Sequence, residues 1–373
     1  MSSFSDLSLL PSLISGLAAQ KIHTPTPIQA QSIPVILEDS AVVGVSETGS
    51  GKTLAYVLPL LHKLKMAENN GSAVSNGGRP RGLVVVPGRE LGVQVSRVFK
   101  SLTHTTRLRV RVAIGGSREK IARENVNGKF EILVATPGRL TQLLDSGALR
   151  LTDVRMAVFD EADAMLDAGF LPVVKRIVKE CPKAVQLVMF SATFPVKLEA
   201  AVRAIFPLEP RLIRTRGSQN VVPTLTTDNR PVVKGLRFDV LKKVLAEDPN
   251  MGTILFVNTH KQGDRVAEWL EAEGYRFVAY RGQMDRNERK RNLKKFRDGQ
   301  VNLLLTTDLG GRGLDIERVE RVINVNLPEE LDNYLHRVGR TARAGRKGTV
   351  VNLVTQRDHP LIEKLKKRAE RRA

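Results

Sequence analysis

Met156-Ala157-Val158-Phe159-Asp160-Glu161-Ala162-Asp163 opens with four apolar residues and then sets three carboxylates within four positions. A short unbroken apolar run suits a strand buried on both faces of a parallel sheet. Ligands of open α/β sheets bind beyond the carboxyl ends of the strands, so the acids are expected to face a cleft. Side chains alternate across a strand, which lets Asp160 and Glu161 address different parts of it. One can hold a divalent cation through water while the other takes a proton from a nucleophile. A solvated acidic turn would have the same composition; the sequence upstream separates the two.

There, Ala41-Val42-Val43-Gly44-Val45 reads as a strand feeding Ser46-Glu47-Thr48-Gly49-Ser50-Gly51-Lys52-Thr53. A helix follows, with apolar positions Leu54, Val57, Leu58, Leu60, Leu61 and Leu64. Strand, loop and helix in this order are the setting of a Walker A loop. Gly49 and Gly51 let backbone N–H groups approach phosphates, and Thr48 and Ser50 complete the cradle. Lys52 supplies charge to the β and γ phosphates, and the Thr53 hydroxyl ligates Mg²⁺. Ser46 stands where the strict pattern has its first Gly. A nucleotide site is expected. Before it, Leu9, Leu10, Leu13, Ile14 and Leu17 fall at helical spacing as a core face. Thr24-Pro25-Thr26-Pro27-Ile28-Gln29 is a rigid turn that fixes where Gln29 points. A Gln amide can donate to and accept from an adenine edge together.

Lys and Arg number 59 against 39 acids, for a formal charge of +20, and the pI is near 10.3. That excess predicts a polyanionic partner, nucleic acid before an anionic membrane surface. No apolar run approaches the roughly 18 residues a membrane helix needs. Cys181 is the only cysteine, which excludes an internal disulfide. The start, Met1 to Asp6, lacks the basic region of a secretory signal, and a reducing intracellular compartment is expected.

After the phosphate loop, Ala67–Arg81 has the composition of a flexible surface loop. Strands at 83–86, 110–114 and 132–135 then each empty into a Gly, Pro or Arg cluster: Pro87-Gly88-Arg89-Glu90-Leu91, Gly115-Gly116 and Thr136-Pro137-Gly138-Arg139. Arg89, Gly116, Thr136 and Arg139 are the kind of set that binds a phosphate backbone. A strand at 187–190 ends in Ser191-Ala192-Thr193, whose two hydroxyls can hydrogen-bond the neighbouring carboxylates and couple to nucleotide state.

With these motifs in this order, the sequence resembles the DEAD-box RNA helicases nearly end to end. SETGSGKT, PGREL, GG, TPGR, the Asp160-Glu161-Ala162-Asp163 tetrad and SAT carry the resemblance in the first half. In the second, Leu255-Phe256-Val257-Asn258-Thr259, Arg281-Gly282-Gln283-Met284 and Thr306-Thr307-Asp308 carry it. Arg312-Gly313-Leu314-Asp315 and His336-Arg337-Val338-Gly339-Arg340-Thr341-Ala342-Arg343 complete it. The resemblance implies an α/β fold of two tandem RecA-like domains, each a mostly parallel sheet flanked by helices. It implies ATP with Mg²⁺ as cofactors and RNA as partner. Phe4 would stack on adenine and Gln29 would read its edge. Lys52, Thr53 and Asp160 would hold phosphate and Mg²⁺, Glu161 would be the base, and Asp315 would reach the ribose. Arg340 and Arg343 would act as arginine fingers across a closing cleft. Gly116, Arg139, Gly282, Arg289 and Thr306 would lie along the RNA backbone.

Several positions depart from the family pattern. Gly88 and Gly92 replace a Thr and an Ala, Arg281 and Gln283 flank Gly282 where His and Asp are usual, and Arg286 replaces a Gln. Lys21 stands for a Gly, Ala342 for a Gly and Asn326 for an Asp. Most of these add positive charge or remove a polar contact near the RNA path. The expected domains are 1–213 and 232–355, with a polar linker at 214–231 and a basic tail at 356–373. In that tail Leu361, Ile362 and Leu365 fit one helical face. The implied activity is unwinding of short duplexes or remodelling of RNA–protein complexes, coupled to ATP hydrolysis and without sequence readout. A cytoplasmic monomer acting on ribosomal or messenger RNA is expected. An ATP-gated RNA clamp or assembly platform, and a DNA-translocating motor, are the alternatives.

Overall fold

Every apolar run read above becomes a strand, and all of the strands pair in parallel. The computed structural model describes residues 3–47, 49–72, 77–116, 119–215, 225–233, 235–281, 284–308, 318–341 and 347–370. The chain divides into two units, Met1–Gln219 and Asn220–Ala373.

In the first unit the strands are β1 (Val42–Val45), β2 (Gly82–Val85), β3 (Val110–Ala113), β4 (Ile132–Ala135), β5 (Met156–Phe159), β6 (Gln186–Ser191) and β7 (Arg211–Arg214). Their order is β3-β4-β2-β5-β6-β1-β7. The helices are α1 (Pro11–Ala19), α2 (Pro27–Leu37), α3 (Lys52–Asn69), α4 (Arg89–Thr106), α5 (Glu119–Val126), α6 (Pro137–Asp145), α7 (Ala162–Asp167), α8 (Leu171–Glu180) and α9 (Val196–Ile205). Alternation sends Ala157 and Phe159 of β5 into one hydrophobic cluster and Met156 and Val158 into another. The sheet is therefore buried on both faces, as the unbroken apolar run requires. Gly44 pairs with Phe190 across β1 and β6. A Cβ at Gly44 would lie 2.3 Å from that ring, so the phenyl occupies the space a side chain would fill.

The second unit holds β8 (Leu225–Pro231), β9 (Thr253–Val257), β10 (Phe277–Tyr280), β11 (Leu303–Thr307), β12 (Arg321–Asn324) and β13 (Gly348–Val354). Their order is β10-β11-β9-β12-β13-β8. Helices α10 (Arg237–Glu247), α11 (His260–Ala272), α12 (Arg286–Arg297), α13 (Leu331–Val338) and α14 (His359–Glu370) flank it. Again one strand serves two clusters, Ile254 and Phe256 on one side, Leu255 and Val257 on the other.

Two expectations need correction. Residues 225–231 are not linker: they form β8, which pairs with β13 from Gly348↔Leu225 to Val354↔Pro231. An edge strand needs only one partner and exposes most of its side chains, so LTTDNRP carries no apolar periodicity. The part of Ala67–Arg81 read as flexible also differs. Helix α3 runs on to Asn69, and Gly78 O accepts Arg150 N at 2.9 Å. In α14, Leu361 and Ile362 are buried and Leu365 packs beside them, as their helical spacing predicts.

Candidate functional site

The phosphate loop lies between β1 and α3. Gly49 and Gly51 take φ 85° and 89°, which a side-chain-bearing residue adopts only with strain. That geometry lets the chain reverse into α3, whose first N–H groups have no partners within the helix and favour an anion. Lys52 Nζ donates to Ser46 O at 2.5 Å and Glu47 O at 2.7 Å. The lysine thus spans the loop from inside, and phosphate oxygens would exchange with those two carbonyls. Burial pushes its pKa down, while Asp160, Glu161, Asp163 and Glu47 push it back up. Thr48 lies outside the described residues.

Gln29 caps its own helix and touches the loop as well. Its Oε1 accepts Thr26 N at 2.9 Å, and its Nε2 donates to Gly51 O at 3.0 Å. The amide is itself buried, at 2% exposure. Phe4 is a correction: at 2% exposure its ring is packed with Leu7, Leu9 and Leu13 and offers no face for stacking. An aromatic ring four residues from the start of an apolar segment is drawn into the core by its area.

Asp160 ends β5 at 3% exposure. Its Oδ2 accepts Tyr56 OH at 2.8 Å, and its Oδ1 accepts Glu161 N at 2.9 Å. Burial raises its pKa to about 6, Glu161 adds to that, and Lys52 opposes it. Thr53 lies three residues before Tyr56 on α3, so its hydroxyl is presented from the same helix face. Two hard oxygen donors beside a phosphate loop suit Mg²⁺, which takes few protein ligands and completes its shell with water and phosphate. Glu161 is half-buried and sits at φ 52°, ψ 52°, a left-handed conformation that costs a non-glycine residue about 1–2 kcal/mol. Strain of this kind gathers at functional sites. It turns the chain abruptly from β5 into α7 and separates Glu161 from Asp160.

Asp163 binds the strand beside it. Its Oδ2 accepts Thr193 N at 2.9 Å and Thr193 Oγ1 at 2.8 Å. Ser191 Oγ accepts Asp163 N at 3.3 Å, so this hydroxyl meets a backbone amide instead of a carboxylate. Tyr56 escaped the sequence reading because a Tyr in an apolar helix counts as core. The available signal was its spacing, four residues after Lys52 and three after Thr53, which puts all three on one helix face.

The expected phosphate-backbone set assembles at the carboxyl ends of β2, β4 and β3, adjacent strands. Arg89 Nη1 donates to Gly115 O at 3.0 Å, and Thr136 Oγ1 accepts Gly115 N at 3.2 Å. Arg89 opens α4, Thr136 caps α6, and Arg139 lies in the first turn of α6. Two helix N-termini and the Gly115-Gly116 turn therefore face the same edge. The departure at Gly92 has a local reason. A Cβ at Gly92 would lie 2.7 Å from Ile114 Cγ2, while Gly88 has open space around it. Lys21 adopts φ 60°, the conformation for which the family's Gly is suited.

In the second unit Thr306 is fully buried and its hydroxyl donates to Tyr280 O at 2.8 Å, which removes it from the phosphate-facing set. Arg289 is half-buried on α12. Arg281 does not add free charge: it pairs with Asp264 and donates to Gly263 O at 2.8 Å. Arg340 is 3% exposed and its Nε donates to His336 O at 3.1 Å. Gly282, Asp315 and Arg343 lie outside the described residues. Arg337 holds the motifs of this unit together. Its five N–H groups reach both Asp308 oxygens at 2.5 and 2.7 Å, Asn258 Oδ1 at 2.7 Å, Asn324 Oδ1 at 3.1 Å and Asn326 O at 2.6 Å. Asn326 enters through its carbonyl, so the Asp common there is not needed for this contact.

The family model described as DEAD/DEAH box helicase matches residues 26–201, and that of the helicase conserved C-terminal domain matches 236–345. The chain is 35% identical to the ATP-dependent RNA helicase DeaD of Buchnera aphidicola subsp. Baizongia pistaciae, over 98% of its own length and 59% of that protein's. It is 32% identical to the DEAD-box ATP-dependent RNA helicase CshA of Geobacillus kaustophilus, over 100% and 78%. Among solved structures it resembles S. cerevisiae Dbp5 bound to RNA and ADP BeF3, with a TM-score of 0.86 and 29% identity over 98% and 93% of the two chains.

Proposed function

The chain belongs to the DEAD-box ATP-dependent RNA helicases, and from that premise we propose that it binds ATP with Mg²⁺ and couples hydrolysis to local opening of RNA. The observation that carries the reading is the phosphate loop spanned by Lys52 together with the buried Asp160 held by Tyr56, with the strained Glu161 beside it. Lys52 holds the phosphates, and its exchange from the Ser46 and Glu47 carbonyls couples binding to the loop. Asp160 and Thr53 would hold Mg²⁺, which when bound would supply neutralisation of charge on the phosphate oxygens. The Glu161 carboxylate takes a proton from water as the oxygen attacks the γ-phosphorus. The bond to the bridging oxygen breaks, and ADP leaves with that oxygen. Asp163 and Thr193 couple this site to the strand after it. Arg340 and Arg343 complete turnover as arginine fingers.

RNA is held by its backbone through the N-termini of α4 and α6 with Arg89, Gly116, Thr136 and Arg139, together with Gly282 and Arg289. The substrate class, ribosomal or messenger RNA, and a cytoplasmic setting are parts of the same proposal. The test is Glu161→Gln, which keeps shape and loses basicity. ATP and RNA binding should persist while hydrolysis falls by about 10²–10⁴-fold, the usual worth of a general base. Hydrolysis within a few-fold of the unaltered chain would remove Glu161 from that role.

A further inference from the structure

Helix α12 reads RNERKRNLKKFR, seven Lys or Arg and one carboxylate in twelve residues. Its inner face is occupied: Leu293 and Phe296 are buried in the core, and Asn292 Nδ2 donates to Ala279 O of β10 at 2.9 Å. Lys290, Arg291, Lys294 and Lys295 are exposed on the outer arc. They form two i,i+4 rows, each with its cations about 6 Å apart along the axis. Lys294 pairs with Asp298, whereas Lys290, Arg291 and Lys295 form no ion pair among the described residues.

Helix stability does not account for this pattern. Cations in the last turn complement the helix dipole, which covers Lys294 and Lys295. The dipole gives no reason for Lys290 and Arg291 in mid-helix, and it opposes Arg289 in the first turn. Like charges four residues apart repel. The helix is held against that repulsion by Asp285, whose carboxylate accepts Asn287 N at 2.8 Å and Glu288 N at 3.2 Å. An anionic lattice on the outer face would relieve it.

We propose that the outer face of α12 binds the phosphate backbone of RNA extending beyond the segment gripped by the core, as a second and sequence-independent track. The proposal rests on the RNA-helicase reading above. The outer arc has no aromatic or aliphatic residue to anchor a protein interface, which depends on such groups. A membrane-surface helix needs an apolar face to insert, and Leu293 and Phe296 are already spent on the core. Charge spaced along a rod is what a phosphodiester chain matches.

The test is the full-length quadruple variant Lys290→Gln, Arg291→Gln, Lys294→Gln, Lys295→Gln, which keeps helix propensity and removes the charge. RNA affinity is measured across a salt series with a long single strand and with one short enough to fill only the core site. For the long strand, affinity should fall and the salt slope should flatten by about 2–3, at about 0.7 per phosphate lost. Short-strand affinity, and ATP hydrolysis at saturating short RNA, should not change. The thermal midpoint followed by Trp269 should hold or rise, because repulsion has been removed. Superimposable long-strand lines for the two proteins would overturn the proposal. So would an equal loss for both strands, which would make α12 part of the core grip, or a loss confined to anionic vesicles or acidic protein. If no RNA stimulates hydrolysis by the unaltered chain, it is the helicase reading that falls.

Discussion

Tyr56 shows how one hydroxyl can organise a site made of charges. Its ring packs 5.6 Å from that of Phe190, while its OH donates to Asp160 Oδ2 at 2.8 Å. Tyr56→Phe keeps the packing and deletes the donor. A hydrogen bond to a charged group contributes about 1.5–3 kcal/mol, and Asp160 keeps its backbone partner Glu161 N. The variant should lose about 1–2 kcal/mol in urea unfolding. The Mg²⁺ concentration at half-maximal nucleotide binding should rise several-fold, because the Asp160 carboxylate loses the donor that orients it. An unchanged Mg²⁺ midpoint, with the stability loss alone, would reduce Tyr56 to a packing residue.

At the scale of elements, the two sheets are tied by different means. The first is held by apolar contact on both faces, with Gly44 admitting the Phe190 ring. The second adds a polar ladder. Asn324, Asn352 and Asn229 are in register on β12, β13 and β8, and their amides join at 2.8 and 2.7 Å. Register is weakly specified on a polar edge strand, and this ladder supplies what β8 lacks in apolar pattern. Arg337 closes it through Asn324 and stacks 5.2 Å from the Phe256 ring. Arg337→Met should destabilise the second unit by about 3 kcal/mol, since it strands Asp308 and several amides. Trp269 is the only tryptophan and stacks on Phe238 at 5.1 Å, so its fluorescence reports that unit alone. A Trp269 transition unmoved by the substitution would show that the network is not structural.

At the scale of the whole molecule, each unit has its own parallel sheet and its own pair of hydrophobic clusters. The fragment 1–219 should fold cooperatively and retain nucleotide binding through Lys52 and Thr53. Its hydrolysis should be lower than that of the full chain by about 10³-fold or more, the worth of an arginine finger, because Arg340 and Arg343 belong to the other unit. Equilibrium binding of a fluorescent nucleotide and a phosphate-release assay on the fragment check this. Release at the rate of the full chain would place the whole chemistry in the first unit.

The central strands, the phosphate loop and the acidic strand end were legible in the sequence because each is dictated locally. An unbroken apolar run has one good environment, and two left-handed glycines before a lysine permit one kind of turn. The edge strands β7 and β8 were not legible, since most of their side chains are exposed and carry little apolar pattern. Nor was the use of the polar groups. Gln29 caps a helix, Arg281 pairs with Asp264, and Thr306 turns its hydroxyl to Tyr280 O. Tyr56 and Arg337 became central only once distant segments were brought within hydrogen-bonding distance. Periodicity records which residues leave water, and it determined this protein's two sheets and its nucleotide loop. Which buried donor meets which acceptor depends on partners distant along the chain, 104 residues for Tyr56 and Asp160, and only the tertiary structure decided that.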